Sequence, residues 1–156
     1  MKIFYKLITF SILFTSLTSC SSSDYSREKN ENRAAIMKAE KDFCDYSVKE
    51  GFYKAFLKFA DKDVVKLNAE NFPVTGLKRL TEFYGERTGP KNLIWKPMDG
   101  EVAESGELGY TWGNWEAATA DTTYYGNYFT VWKRDKKDGK WKVALDGGNT
   151  TPSPVK

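Results

Sequence analysis

The apolar positions of this chain follow two rhythms, and the change between them falls near Leu93. Before it, apolar side chains recur at steps of three and four. Ile36, Ala39, Phe43 and Tyr46 form one stripe, which predicts a helix over residues 31–50 with Asn30 or Asn32 as its cap and Gly51 as its stop. Phe52, Ala55, Phe56 and Phe59 repeat the pattern and predict a second, short helix from Gly51 to about Ala60, broken by Asp61-Lys62-Asp63. Val64 to Leu67 is short and β-branched, as a strand would be. Residues 68–75, with Pro73, predict a loop, and Thr75 is placed to cap a third helix whose inward stripe is Leu77, Leu80 and Tyr84. Gly85 to Asn92 reads as a further loop.

From Leu93 on the period is two. Leu93-Ile94-Trp95 opens a strand in which Pro97 marks an edge or a bulge, and Glu101 to Glu104 continues it to a turn at Ser105-Gly106. The next strand carries Tyr110, Trp112, Asn114 and Glu116 on one face and Gly109, Thr111, Gly113, Trp115 and Ala117 on the other. Ala118 to Thr123 turns the chain, Tyr124 to Arg134 runs back, and Trp141 to Asp146 closes the sheet. The last hairpin admits two registers: a two-residue loop at Asp138-Gly139 pairs Trp132 with Leu145, and a four-residue loop from Lys136 pairs it with Val143. In both, Trp132, Trp141, Val143 and Leu145 share one wholly apolar face, expected against the helices. Phe129, Val131, Lys133, Lys142, Ala144 and Asp146 share the other. Four of the five tryptophans lie between Leu108 and Asp146.

The first residues are organised differently. Lys2 and Lys6 precede an apolar run from Leu7 to Leu17 that is too short to span a bilayer as a helix. It ends in Leu17-Thr18-Ser19-Cys20, which resembles the lipobox of bacterial lipoproteins. The expected division is a signal peptide over 1–19, a lipidated Cys20 with a flexible polar tether over 20–30, one domain over 31–150, and a tail over 151–156. Ser21 leans the expected location towards the outer membrane, facing the periplasm. Without Lys2 and Lys6 the 24 Lys and Arg fall to 22, against 21 Asp and Glu, so no basic bias points to nucleic acid.

Several short stretches stand out along the chain: Ala39-Glu40-x-x-Phe43, Phe56-x-x-Phe59-Ala60, Pro73-x-x-Gly76 and Leu93-x-Trp95-x-Pro97. To these add Ser105-Gly106-x-Leu108-Gly109-Tyr110-Thr111-x-Gly113, Gly126-x-Tyr128, Trp132-Lys133-Arg134 and Gly139-Lys140-Trp141-Lys142-Val143. With the order helix, helix, strand, helix, then long curved strands, they resemble the nuclear transport factor 2-like fold, which includes ketosteroid isomerase and the SnoaL-like cyclases. Among the branches, the chain most resembles domain of unknown function 4440. The resemblance implies an α+β cone, with N-terminal helices packed on a strongly curved antiparallel sheet around a ligand pocket.

The absence of histidine removes Ser-His-Asp and Cys-His catalysis and the commonest metal ligand, so neither a metal nor a cofactor is expected. Beyond Cys20 the single thiol is Cys44, a small buried hydrophobe by its place beside the first stripe. An acid/base carboxylate would have to come from Glu40, Glu70, Glu116 or Asp146, with Tyr110 or Tyr128 as the hydrogen-bond donor. No catalytic set is fixed by spacing. The candidate ligand-binding residues are Glu40, Trp95, Tyr110, Trp112, Asn114, Tyr128 and Asp146, and the expected ligand is a small apolar or aromatic molecule. An isomerase or cyclase using a buried carboxylate is the alternative, and so is a homodimer formed through the face of Phe129 and Val131.

Overall fold

The structure, a computed structural model, describes residues 22–68 and 71–154. The expected signal peptide, Cys20 and Glu70 lie outside the described residues. Among the described residues, three helices, α1 (Ser22–Glu50), α2 (Phe52–Phe59) and α3 (Leu77–Tyr84), accompany six strands. These are β1 (Ala60–Asn68), β2 (Asn71–Thr75), β3 (Leu93–Val102), β4 (Leu108–Ala118), β5 (Thr123–Arg134) and β6 (Trp141–Thr151). They form one curved sheet in the order β2-β1-β6-β5-β4-β3. All neighbours are antiparallel except β1 and β6, which run parallel.

The helices cover the concave face. Ile36 and Phe43 of α1, Phe56 of α2 and Leu80 and Tyr84 of α3 meet Trp132 and Val143 of the sheet in one buried core. Small residues on β4 let α1 come close. A side chain at Gly109 would put its Cβ 2.6 Å from Ile36 Cδ1 and 2.6 Å from the Glu101 carbonyl oxygen, so the helix rests directly on the strand backbone. Gly51 makes the corner between α1 and α2 at a φ of 99°, with the Thr88 carbonyl occupying the space a Cβ would need.

Three elements differ from the sequence expectation. First, α1 begins at Ser22, inside the segment expected to be a flexible tether. That segment has no apolar stripe, so periodicity does not mark it. Its charges pair within the helix, Arg27 with Asp24 and Glu31, and across to the sheet, where Lys29 lies 3.8 Å from Glu101 of β3 and Tyr25 donates to Glu104 in the turn after it at 2.6 Å. Second, the expected loop over 68–75 contains β2, an edge strand, where a proline such as Pro73 is tolerated. Gly76, not Thr75, takes the cap position of α3, and no side chain bonds there.

Third, the last hairpin adopts the four-residue register, with Trp132 opposite Val143, but Val131 then faces Leu145. Ala144 is therefore an extra residue, a β-bulge, and it reverses the parity of everything after it. Trp132, Trp141 and Val143 are buried as expected, while Leu145 turns outward and Asp146 turns in. The simple alternation placed Asp146 on the solvent face; one unpaired residue moves it to the core side.

Candidate functional site

The inward turn of Asp146 helps to enclose a cavity of about 230 Å³ between the sheet, α1 and α2. Its walls are the rings of Phe43, Phe52, Trp95, Trp115 and Tyr128. Glu40 and Asp146 supply its two carboxylates, and Leu93, Gly147 and Gly148 complete it. This is smaller than the roughly 300–1,000 Å³ usual for drug-sized ligands, so it suits a small molecule.

Glu40 is fully buried on the inward face of α1, and three strands reach it. Trp95 Nε1 of β3 donates to Oε1 at 2.5 Å, Thr111 Oγ1 of β4 donates to Oε2, and Trp132 Nε1 of β5 donates to Oε2 at 3.1 Å. The Trp132 N–H is shared with Thr111 Oγ1 at 2.9 Å. A buried carboxylate without donors would be prohibitive, so these bonds are what make the position tolerable. Burial still dominates: it pushes the carboxyl up from 4.5 to about 7, against the lowering by Thr111 and Trp95 and with a further push from the charge of Asp146.

Asp146 is held by Lys66 of β1 and by Thr130 Oγ1, 3.1 Å from Oδ2. The strand register places Lys66 and Thr130 directly beside it on either side. The Lys66 ammonium also lies 5.7 Å and 5.4 Å from the ring centres of Phe52 and Phe56. The hydroxyls of Tyr128 and Tyr84 are buried with no hydrogen-bond partner among the described residues. Burial raises both phenols well above their ordinary value. The charges of Glu40, Cys44 and Asp146 add to this at Tyr128, and that of Asp146 adds to it at Tyr84. Burial likewise raises the Cys44 thiol, whose sulfur accepts the Trp95 amide at 3.4 Å.

Of the residues singled out from the sequence, Glu40, Trp95, Tyr128 and Asp146 come together at this cavity. Tyr110, Trp112 and Asn114 do not. They occupy the outward positions of β4, with Tyr110 and Trp112 45% and 46% exposed and Asn114 bonded to Asn127 at 2.8 Å. The aromatic face of that strand looks like the core face, yet the small residues Gly109, Thr111 and Gly113 are the ones turned inward and buried. Glu116 is exposed on the same outer side. The residues the sequence did not signal are Thr111, Trp132 and Lys66 as partners of the two carboxylates. A lone threonine between two glycines on an inner strand face was the available sign for Thr111. Lys66 gave none, because its partner is 80 residues away.

No family model matches the chain, and no curated protein matches it. Solved structures do. A ketosteroid isomerase-like protein from Erwinia carotovora atroseptica has a TM-score of 0.64 at 17% identity, covering 80% of this chain and 99% of its own. An NTF2-like protein of unknown function from Pseudomonas putida scores 0.60 at 15% identity, over 77% of this chain and 87% of its own. An NTF2-like protein with a cystatin-like fold from Novosphingobium aromaticivorans scores 0.60 at 9% identity, over 87% and 94%. The chain therefore has the nuclear transport factor 2-like fold, a cone of helices on a curved sheet. At these identities the likeness concerns the fold alone, and that fold is consistent with ligand binding or isomerase-type chemistry.

Proposed function

We propose that this is a lipid-anchored protein of the bacterial envelope, of the domain of unknown function 4440 type, that binds a small apolar or aromatic molecule in its cone cavity. One observation carries the binding reading: a cavity of about 230 Å³ is walled by five aromatic rings, with the carboxylates of Glu40 and Asp146 held in its wall. The anchoring part is supported by Leu17-Thr18-Ser19-Cys20, and Ser21 after the cysteine favours the outer membrane, facing the periplasm. The binding test is a thermal-shift and native mass spectrometry screen of the Cys20→Ser chain. A stabilising small ligand is expected, with Trp115→Leu in the cavity wall weakening it; a folded protein that takes up nothing overturns the reading. Cys20→Ser should also move the protein to the soluble fraction, and persistence in carbonate-washed membranes would remove the anchor.

A second reading, an isomerase or cyclase, is favoured by one feature: Glu40 titrates near neutrality in the cavity wall, as a general acid/base should. Against it, no tyrosine hydrogen-bonds to Glu40 among the described residues, and its oxygens are engaged by donors from three strands.

A further inference from the structure

The cavity has a chemical bias that a purely apolar ligand would not use. Its rings do not stack. Trp95 meets Phe43, Phe52 and Tyr128 edge to face, at 69°, 83° and 68°, with centres 4.9, 6.0 and 6.5 Å apart. Five aromatic rings thus wall one small space, and each brings a π-system to it. Among the described residues, the two charged groups in the wall are both carboxylates, and no lysine or arginine lines the cavity. The nearest ammonium, on Lys66, is committed to Asp146. When Glu40 is ionised, its charge has three hydrogen bonds but no cation.

From this we infer that the cavity takes a small organic cation, a quaternary or tertiary alkylammonium group on an apolar body. The inference rests on the binding reading above and narrows its ligand. A methylated ammonium is weakly hydrated, so it enters an apolar box at low cost. It is attracted to aromatic faces and neutralises a carboxylate without needing directed hydrogen bonds. One ring of the wall, Phe52, already meets a cation, the Lys66 ammonium 5.7 Å from its centre. A neutral apolar occupant would instead deepen the desolvation of Glu40, and an anion would face that carboxylate with no lysine or arginine in the wall among the described residues. The small volume matches a headgroup of this kind rather than a large ring system.

The experiment is a calorimetric titration of the full chain in detergent with four probes. These are choline, its neutral carbon isostere dimethylbutanol, the anionic isostere dimethylbutyrate, and indole. Choline should bind roughly tenfold or more tighter than dimethylbutanol, because the two differ in charge and hardly in shape. Dimethylbutyrate should not compete. Trp115→Leu, at a half-buried wall position, should cost choline roughly tenfold and dimethylbutanol much less, with the melting temperature reporting that the variant folds. Equal binding of choline and dimethylbutanol, or binding of indole alone, overturns the cation proposal and leaves the apolar-ligand reading standing. Binding of none of the four by a folded protein overturns both.

Discussion

Glu40 is the residue on which most of the site turns, and its protonation has a signed consequence. The folded carboxyl titrates at about 7, the unfolded one near its ordinary 4.5. Between those values the unfolded chain binds fewer protons than the folded one, so stability falls as pH rises through the window and levels off above it. The size is about 3 kcal/mol across the window. Urea denaturation from pH 4.5 to 8 should show this fall. In Glu40→Gln it should vanish, because the glutamine carries no titrating proton. A wild-type profile that is flat over this range would mean that Glu40 stays ionised throughout. The sequence offered Glu40 only as one of four candidate carboxylates. Its actual partners, Trp95, Thr111 and Trp132, come from three strands and were beyond any local pattern.

At the scale of elements, the decisive feature is the bulge at Ala144. It lets one strand carry Trp141 and Val143 into the core and then present Asp146 to the same side, beside Lys66 and Thr130. Lys66 and Asp146 have side chains only 14% and 10% exposed, so removing one partner strands the other. Lys66→Met should cost about 3 kcal/mol in urea denaturation, and adding Asp146→Asn should recover part of it. Full additivity of the two changes would mean that the pair is not coupled. Helix and strand identities were legible because they depend on local periodicity: the stripes Ile36–Tyr46 and Phe52–Phe59 became α1 and α2. What was not legible depends on distant partners. The bulge is invisible in an alternating pattern, and the first turns of α1 are held by charges on β3 rather than by an apolar face.

At the scale of the whole molecule, the convex side of the sheet carries more apolar surface than a solvent face requires. Tyr110 is paired with Val131 and Val131 with Leu145, while Trp112 is paired with Phe129, so these side chains form adjoining rows across three strands. Tyr110, Trp112 and Phe129 are 40–46% exposed. Contiguous exposed aromatics of this kind mark interaction surfaces. We propose that this face pairs with a second copy of the chain. Sedimentation velocity should show a concentration-dependent dimer that Val131→Glu weakens, and a monomer at every concentration would remove the proposal.

The three-strand grip on Glu40 also bears on how fast the molecule comes apart. Its donors lie 55, 71 and 92 residues along the chain, so none of these bonds can form until α1 and the corresponding strands have already met. Contacts that close such long loops form late. Interactions absent from the transition state hold the native state shut without speeding its assembly. Thr111→Val, which keeps the shape and deletes one donor, should therefore raise the unfolding rate roughly tenfold and leave the folding rate within about twofold. Stopped-flow measurements in both directions would show it on one arm of the chevron only. The buried carboxylate would then act as a latch, setting the lifetime of the folded cone rather than the speed at which it is reached.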